Sequence, residues 1–286
     1  MIGKYSIIFV FLAYFITWLM WIPAFVLASM HDFKLPLIDG LNEFFVEGVS
    51  SDTHLLVILL FVFAVYGPFI AGFVSSFLEN GKKGVSQLFF SLLNFDFKLK
   101  WLFFIFGFVF IIYFVAGLVS GVMFGGGIIT FAYPLVFFIP IFLYHIFSSG
   151  LEEVGWRGYL LPKMLERNTA ERSAWIIGLV WGVWHWPLLI YLYLDYGLQI
   201  IISVLAGNVM ALIGMTFIYV WIYQNTKNIF LLILFHALLN TLPLFIIGQA
   251  NEFAFFIPIV LTWVMAIWLT KKYGSNLIMS EKSRLI

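Results

Sequence analysis

The stretch Gly150-Leu151-Glu152-Glu153-Val154-Gly155-Trp156-Arg157-Gly158-Tyr159 places two carboxylates and a guanidinium inside a run otherwise apolar enough to cross a bilayer. An ionisable group near a bilayer centre costs on the order of 3 kcal/mol or more unless it is paired or lines a watered cavity. On a helix, Glu153 and Arg157 are four apart on one face and can pair. Glu152 lies about 100° round from Glu153, outside that pair. One carboxylate reads as structural and the other as free for chemistry. Two more polar islands follow: Trp181-Gly182-Val183-Trp184-His185-Trp186-Pro187, and Phe235-His236-Ala237-Leu238-Leu239-Asn240. Trp181 with His185, and His236 with Asn240, are spaced i,i+4 and share a face. A carboxylate in a low-dielectric site can serve as general base towards water, with an imidazole orienting that water or sharing its proton. A second imidazole and an amide can donate hydrogen bonds to an oxyanion. Together these residue types describe water attacking a peptide bond, with no serine, cysteine or aspartyl dyad.

The elements that must carry these residues are set by composition. Of 286 residues, 63% are hydrophobic and 10% charged, against roughly 25% charged in a soluble domain. This is the signature of a polytopic membrane protein, read as a single all-α domain, 1–286, whose motif-bearing core covers about 133–248. Cysteine is absent, which excludes disulfides, thiolate metal sites and a cysteine nucleophile. No basic tail or interleaved basic–aromatic patch points to nucleic acid. The apolar run after Lys4 has no small-residue cleavage site and reads as a retained helix.

Apolar runs long enough to span fall at 5–29, 54–78, 101–123, 133–161, 174–193, 199–223, 229–248 and 253–270, which predicts a bundle of eight transmembrane helices. Alternate connections hold 13 of the basic residues outside Arg157, from Lys4 to Lys282 and Arg284, and the other set holds only Lys34. The rule that cytoplasmic loops are rich in Lys and Arg then puts both termini inside. The first external loop, 31–53, carries Asp32, Asp39, Glu43, Glu47 and Asp52 and is expected to form a short cap. The fourth run is too long for a straight span, and Pro134, Pro140 and Ser148-Ser149-Gly150 offer places to break it. Counting residues from each helix's cytoplasmic end sets Glu152, His185, His236 and Asn240 at one depth, roughly 10 to 17 Å in.

The order Glu-Glu-x-x-x-Arg (Glu152, Glu153, Arg157), aromatic-x-x-x-His (Trp181, His185), His-x-x-x-Asn (His236, Asn240) resembles the three motifs of the CAAX protease and bacteriocin-processing family. These are intramembrane endopeptidases that include the type II CAAX prenyl proteases. The resemblance covers about 145–245 and implies an eight-helix fold with a cavity open to the cytosol. It also implies that Glu152 and His185 activate water while His236 and Asn240 hold the oxyanion, with Glu153, Arg157 and Trp181 supporting them. Trp181 stands in place of the more usual Phe, a mild departure. The residues leave the metal question open. Glu152, His185 and His236 make an acceptable Zn2+ set with an open fourth position, yet a ligating Glu152 would no longer be a free base. The metal-free reading, with no cofactor required, is the one taken.

Other polar groups have plainer readings. His145 is expected to be hydrogen-bonded filler, Asn208 to bridge helices, and Gly155 and Gly158 to permit close approach. The competing functions are a proton- or ion-coupled transporter using Glu152, Arg157 and the histidines as a relay, and a catalytically silent immunity protein of the same fold. Against the transporter, the polar residues gather at one level instead of forming a file. Expected partners are membrane lipid and a membrane-bound, lipidated or peptide substrate: a prenylated CAAX protein, or in a bacterium a signalling or bacteriocin peptide. The expected location is a bacterial or archaeal plasma membrane.

Overall fold

Helix α1 (Lys4–His31) shows which solvent the chain is built for. Its buried residues Phe9, Ala13, Thr17, Trp21, Ala24 and Ala28 recur every three or four positions, and so do the exposed residues Ile7, Phe11, Phe15, Leu19, Ile22 and Val26. A helix that is apolar on both faces has no water-facing side, so its outer stripe meets lipid. The computed structural model describes residues 3–37, 48–124, 134–246 and 256–280. The expectations for Asp39, Glu43 and Glu47, and for Lys282 and Arg284, lie outside the described residues.

Among the described residues all regular structure is helical, as the composition predicts. After α1 come α2 (Asp52–Ala64), α3 (Gly67–Leu92), α4 (Leu99–Phe124) and α5 (Phe138–Phe147). A 3-10 turn (Ser149–Leu151), a π-helical turn (Val154–Leu160) and α6 (Leu161–Leu165) follow. The remainder is α7 (Ala170–Trp184), α8 (Trp186–Leu192), α9 (Leu198–Thr226), α10 (Ile229–Ile246) and α11 (Phe256–Tyr273). By length and composition α1, α4, α9 and α11 can each cross a membrane, and the described residues hold seven spans if three bent pairs count as one each. The sequence pattern predicts eight. The difference is α10, whose described residues Ile229–Ile246 are apolar but fewer than the about 20 that a span needs.

The three bends have local causes. α2 and α3 meet at 52°, with Pro68 opening α3, where its missing N–H costs nothing. Within α3, Gly81 takes φ 58°, ψ −149°, a conformation that favours glycine, so Lys82 and Lys83 start a second helical stretch where a loop was expected. The expected break of the fourth run is present, a 42° bend. It lies between Leu151 and Val154; the backbone already departs from helical geometry at Ser148 (φ −106°, ψ −101°), and not at Pro140, which sits in the first turn of α5. The fifth run, expected to be continuous over 174–193, is instead bent by 44° between α7 and α8. Pro187 explains this, because a helix continuing through it would lose an N–H and drive the ring into the Val183 carbonyl. His185 sits at that hinge.

Close packing brings these elements to the site. α7 crosses α9 at Gly178 and Gly182, where an added Cβ would lie 2.5 Å from Ile213 Cα and 2.9 Å from Val209 Cα. The small-x-x-x-small spacing lets two backbones touch. The π-helical turn lies on α3 at Gly155, whose Cβ would stand 2.1 Å from the Pro68 carbonyl oxygen, so the expectation of close approach there holds.

Candidate active site

The chain reaches Glu152 through the irregular backbone after Ser148 and leaves through the π-helical turn. In that turn the Leu161 N–H bonds back to the Trp156 carbonyl, five residues earlier, a geometry often found at functional sites. The turn presents Glu152, Glu153 and Arg157 to the bundle interior, where they are 4%, 0% and 0% exposed.

The two carboxylates have different surroundings. Glu153 Oε1 accepts from the Arg157 guanidinium at 3.0 Å, the i,i+4 pair that the spacing predicts. The same oxygen accepts from His236 Nδ1 at 2.7 Å. Arg157 also donates to Thr216 Oγ1 at 3.2 Å. Its guanidinium packs against both the Trp181 and Tyr219 rings, 4.2 Å from each centroid. Stacking against two rings and pairing in a desolvated site compensate a charge that would otherwise be prohibitive here. Glu152 is outside this network. Its Oε2 accepts from the Trp181 indole N–H at 3.0 Å. Oε1 takes no hydrogen bond from the described residues. As the spacing predicts, Glu152 stands outside the Glu153–Arg157 pair; the structure adds one neutral donor, the Trp181 indole, on one of its oxygens.

The other predicted residues converge on the same place. His185 Nδ1 is 2.8 Å from the Trp181 carbonyl oxygen. A carbonyl only accepts, so Nδ1 carries a proton and Nε2 holds the lone pair in the neutral ring. The His236 ring packs edge-on to Trp181 with centroids 5.5 Å apart, and His236 is within electrostatic reach of Glu152. Asn240 donates to Ser149 Oγ at 2.7 Å, tying α10 to the turn that precedes Glu152. Among the described residues no direct hydrogen bond joins Glu152 to His185, His236 or Asn240. Trp181 is what connects them, through its indole to Glu152 and its carbonyl to His185. His145 Nδ1 is 2.9 Å from Thr241 Oγ1, hydrogen-bonded as expected, and Asn208 donates to the Gly182 carbonyl at 3.2 Å, bridging α9 to α7 as expected.

Thr216, Tyr219 and Ser149 complete the site without having been singled out in the sequence. Thr216 and Tyr219 are ordinary residues of the 29-residue helix α9, and nothing in their spacing marks them. Ser149 is visible only as part of a bend. A catalytic zinc takes three protein ligands and an open position. Among the described residues no three His, Cys, Asp or Glu side chains stand together to hold a metal ion, so Glu152, His185 and His236 as placed do not form that set.

A bundle of membrane-length helices enclosing two unlike carboxylates, two imidazoles and an amide defines the class: a helical membrane protein with a buried acid–base centre. Residues 134–242, which hold every group just described, match the family described as "Type II CAAX prenyl endopeptidase Rce1-like". The chain is also 30% identical over 133 residues to "CAAX prenyl protease 2" of Methanococcus maripaludis, a match covering 41% of this chain and 46% of that protein. The chain thus matches about half the length of that curated relative. Both findings support a relationship to the CAAX protease family, through the segment that holds the site.

Proposed function

We propose that this protein is an intramembrane endopeptidase that hydrolyses a peptide bond near the cytoplasmic side of the membrane through water activated by Glu152. The observation that supports it best is the unequal treatment of the paired carboxylates. Glu153 is held by Arg157 and His236, whereas Glu152 is held on one oxygen by a neutral N–H. A carboxylate kept dry, oriented and without a counter-cation is suited to take a proton from water.

In the proposed reaction the oxygen of a water attacks the peptide carbonyl carbon as its proton passes to Glu152, with His185 Nε2 steering the water. The oxyanion is met by Asn240, whose amide has a second N–H besides the one given to Ser149. His236, held at Nδ1 by Glu153, would be the second group on the oxyanion side. Collapse breaks the C–N bond, and the proton held by Glu152 goes to the leaving amine. The steps use no metal. An eight-span topology with both termini in the cytoplasm, inferred from the distribution of basic residues, would open the site to that side. The relative's name concerns prenylated CAAX substrates, which makes a lipid-anchored peptide the first substrate class to try.

The test is purified protein in liposomes with a farnesylated peptide ending in a CAAX sequence, read as release of the terminal tripeptide by mass spectrometry. Cleavage by the wild type and none by Glu152→Gln is expected. Equal cleavage by both would remove Glu152 from the chemistry.

A further inference from the structure

Several buried tryptophans here leave the indole N–H unspent. Among the described residues, the Nε1 atoms of Trp156, Trp184, Trp186 and Trp221 are buried with no hydrogen-bond partner. Trp181 differs, because its Nε1 donates to Glu152 at 3.0 Å. The indole is clamped, with the Arg157 guanidinium 4.2 Å from its centroid and the His236 and Tyr219 rings at 5.5 and 5.9 Å. Such contacts fix both the position and the tilt of the ring. The residue's backbone carbonyl holds His185 at 2.8 Å, so one residue contacts both groups assigned to water.

We propose that Trp181 is a positioning residue whose indole N–H holds Glu152 Oε2 so that Oε1 is left to the water, and whose carbonyl sets His185 on the same frame. This inference rests on the proteolytic reading above for its kinetic consequence, while the contact itself does not. A neutral donor orients a carboxylate without the counter-charge that Arg157 brings to Glu153, so Glu152 keeps its capacity to take a proton. Phenylalanine would fill most of the same space and supply the same ring face to Arg157, but it cannot donate. The contribution of the N–H is therefore separable from that of the aromatic bulk.

The experiment uses full-length protein labelled with 15N-indole tryptophan in detergent micelles, and the same variants assayed with the farnesylated peptide. Trp181→Phe identifies the Trp181 indole signal by its disappearance. In Glu152→Gln that signal should shift upfield by more than any other indole, because a neutral acceptor replaces a charged one. Trp175→Phe, a change at an exposed site on α7, should leave the Trp181 signal in place. Trp181→Phe should lower kcat roughly 10- to 100-fold, the scale of losing the alignment of one reacting group, with KM and melting temperature nearly unchanged. A ring acting only as packing would change the melting temperature and leave kcat per folded molecule alone. An unmoved indole signal in Glu152→Gln, or wild-type kcat in Trp181→Phe, overturns the proposal. If wild type fails to cleave the peptide, that failure belongs to the proteolytic reading, and the indole shift alone decides the contact.

Discussion

His236 Nδ1 lies 2.7 Å from Glu153 Oε1, the oxygen that also receives Arg157. Since an ionised carboxylate only accepts, the imidazole proton on that side is fixed and Nε2 is the working nitrogen. Glu153 is thus more than the partner of Arg157. It links the charge pair of the π-helical turn to the histidine of α10.

This link sharpens a prediction on stability. Removing one member of a buried ion pair strands the other and costs about 3 to 5 kcal/mol. Glu153→Gln and Arg157→Met should each lower the melting temperature, followed by intrinsic fluorescence of the 11 tryptophans. Glu152→Gln should leave it unchanged or raise it, since it removes a buried carboxylate that no cation balances. The double variant Glu153→Gln with Arg157→Met should recover part of the loss, because neither charge is left alone. Its activity should stay low, since His236 then lacks its charged partner. Collapse of Glu152→Gln, or a double variant no better than the worse single one, would reverse the roles of the two glutamates.

For turnover, losing the base should cost most. Glu152→Gln and His185→Ala should lose several orders of magnitude in kcat while remaining folded. Asn240→Ala should lose roughly 10²- to 10³-fold, as for one oxyanion donor among several. Single-turnover assays on protein that elutes as a single peak distinguish this from misfolding. A ranking with Asn240→Ala below Glu152→Gln would contradict the assignment.

Packing gives a prediction at the glycine that lies between Glu153 and Arg157. Gly155 has the Pro68 carbonyl oxygen 2.1 Å from where a Cβ would be, and backbone cannot yield as a side-chain tip can. Gly155→Ala should therefore displace α3 from the π-helical turn, at a cost of at least 1 to 3 kcal/mol, roughly the scale of core overpacking, and reduce the yield of folded protein. Gly158→Ala meets Leu88 Cδ1 at 3.1 Å, a flexible tip, and should be milder. Parallel expression and thermal melts of the two variants make the comparison. Equal behaviour would mean that the α3 contact does not hold the turn.

Much of this site is legible in the sequence because its cost is legible. Charged and imidazole groups inside apolar runs stand out, and i,i+4 spacing is enough to pair Glu153 with Arg157. The contacts between helices are less visible. That Glu152 meets Trp181, and Glu153 meets His236, depends on the bend between Leu151 and Val154, the hinge at His185 and the crossing at Gly178 and Gly182. Hydropathy averages over all three. Reading Trp181 as a mild change from Phe registers ring volume, whereas the indole N–H matters only once Glu152 is known to face it. Thr216 is hidden for a similar reason, since a threonine on a membrane helix ordinarily bonds its own backbone, as Thr216 also does to the Leu212 carbonyl at 2.6 Å.

The last prediction concerns metal. A zinc ligated by Glu152 would take from that carboxylate the lone pair that the proposed reaction uses on water, so the two mechanisms exclude each other at one residue. The two histidines do not decide between them, because a ring whose Nδ1 is held by an acceptor presents the same Nε2 to a metal or to water. With Glu152 as base, dialysis of the purified protein against a strong chelator should leave tripeptide release from the farnesylated peptide unchanged, and added Zn2+ should not raise it. Elemental analysis of the undialysed protein should find far less than one zinc per chain. If chelation instead abolishes activity and Zn2+ restores it, Glu152 is a ligand. In that case His185→Ala and His236→Ala should each lower bound zinc, and another group must act as the base.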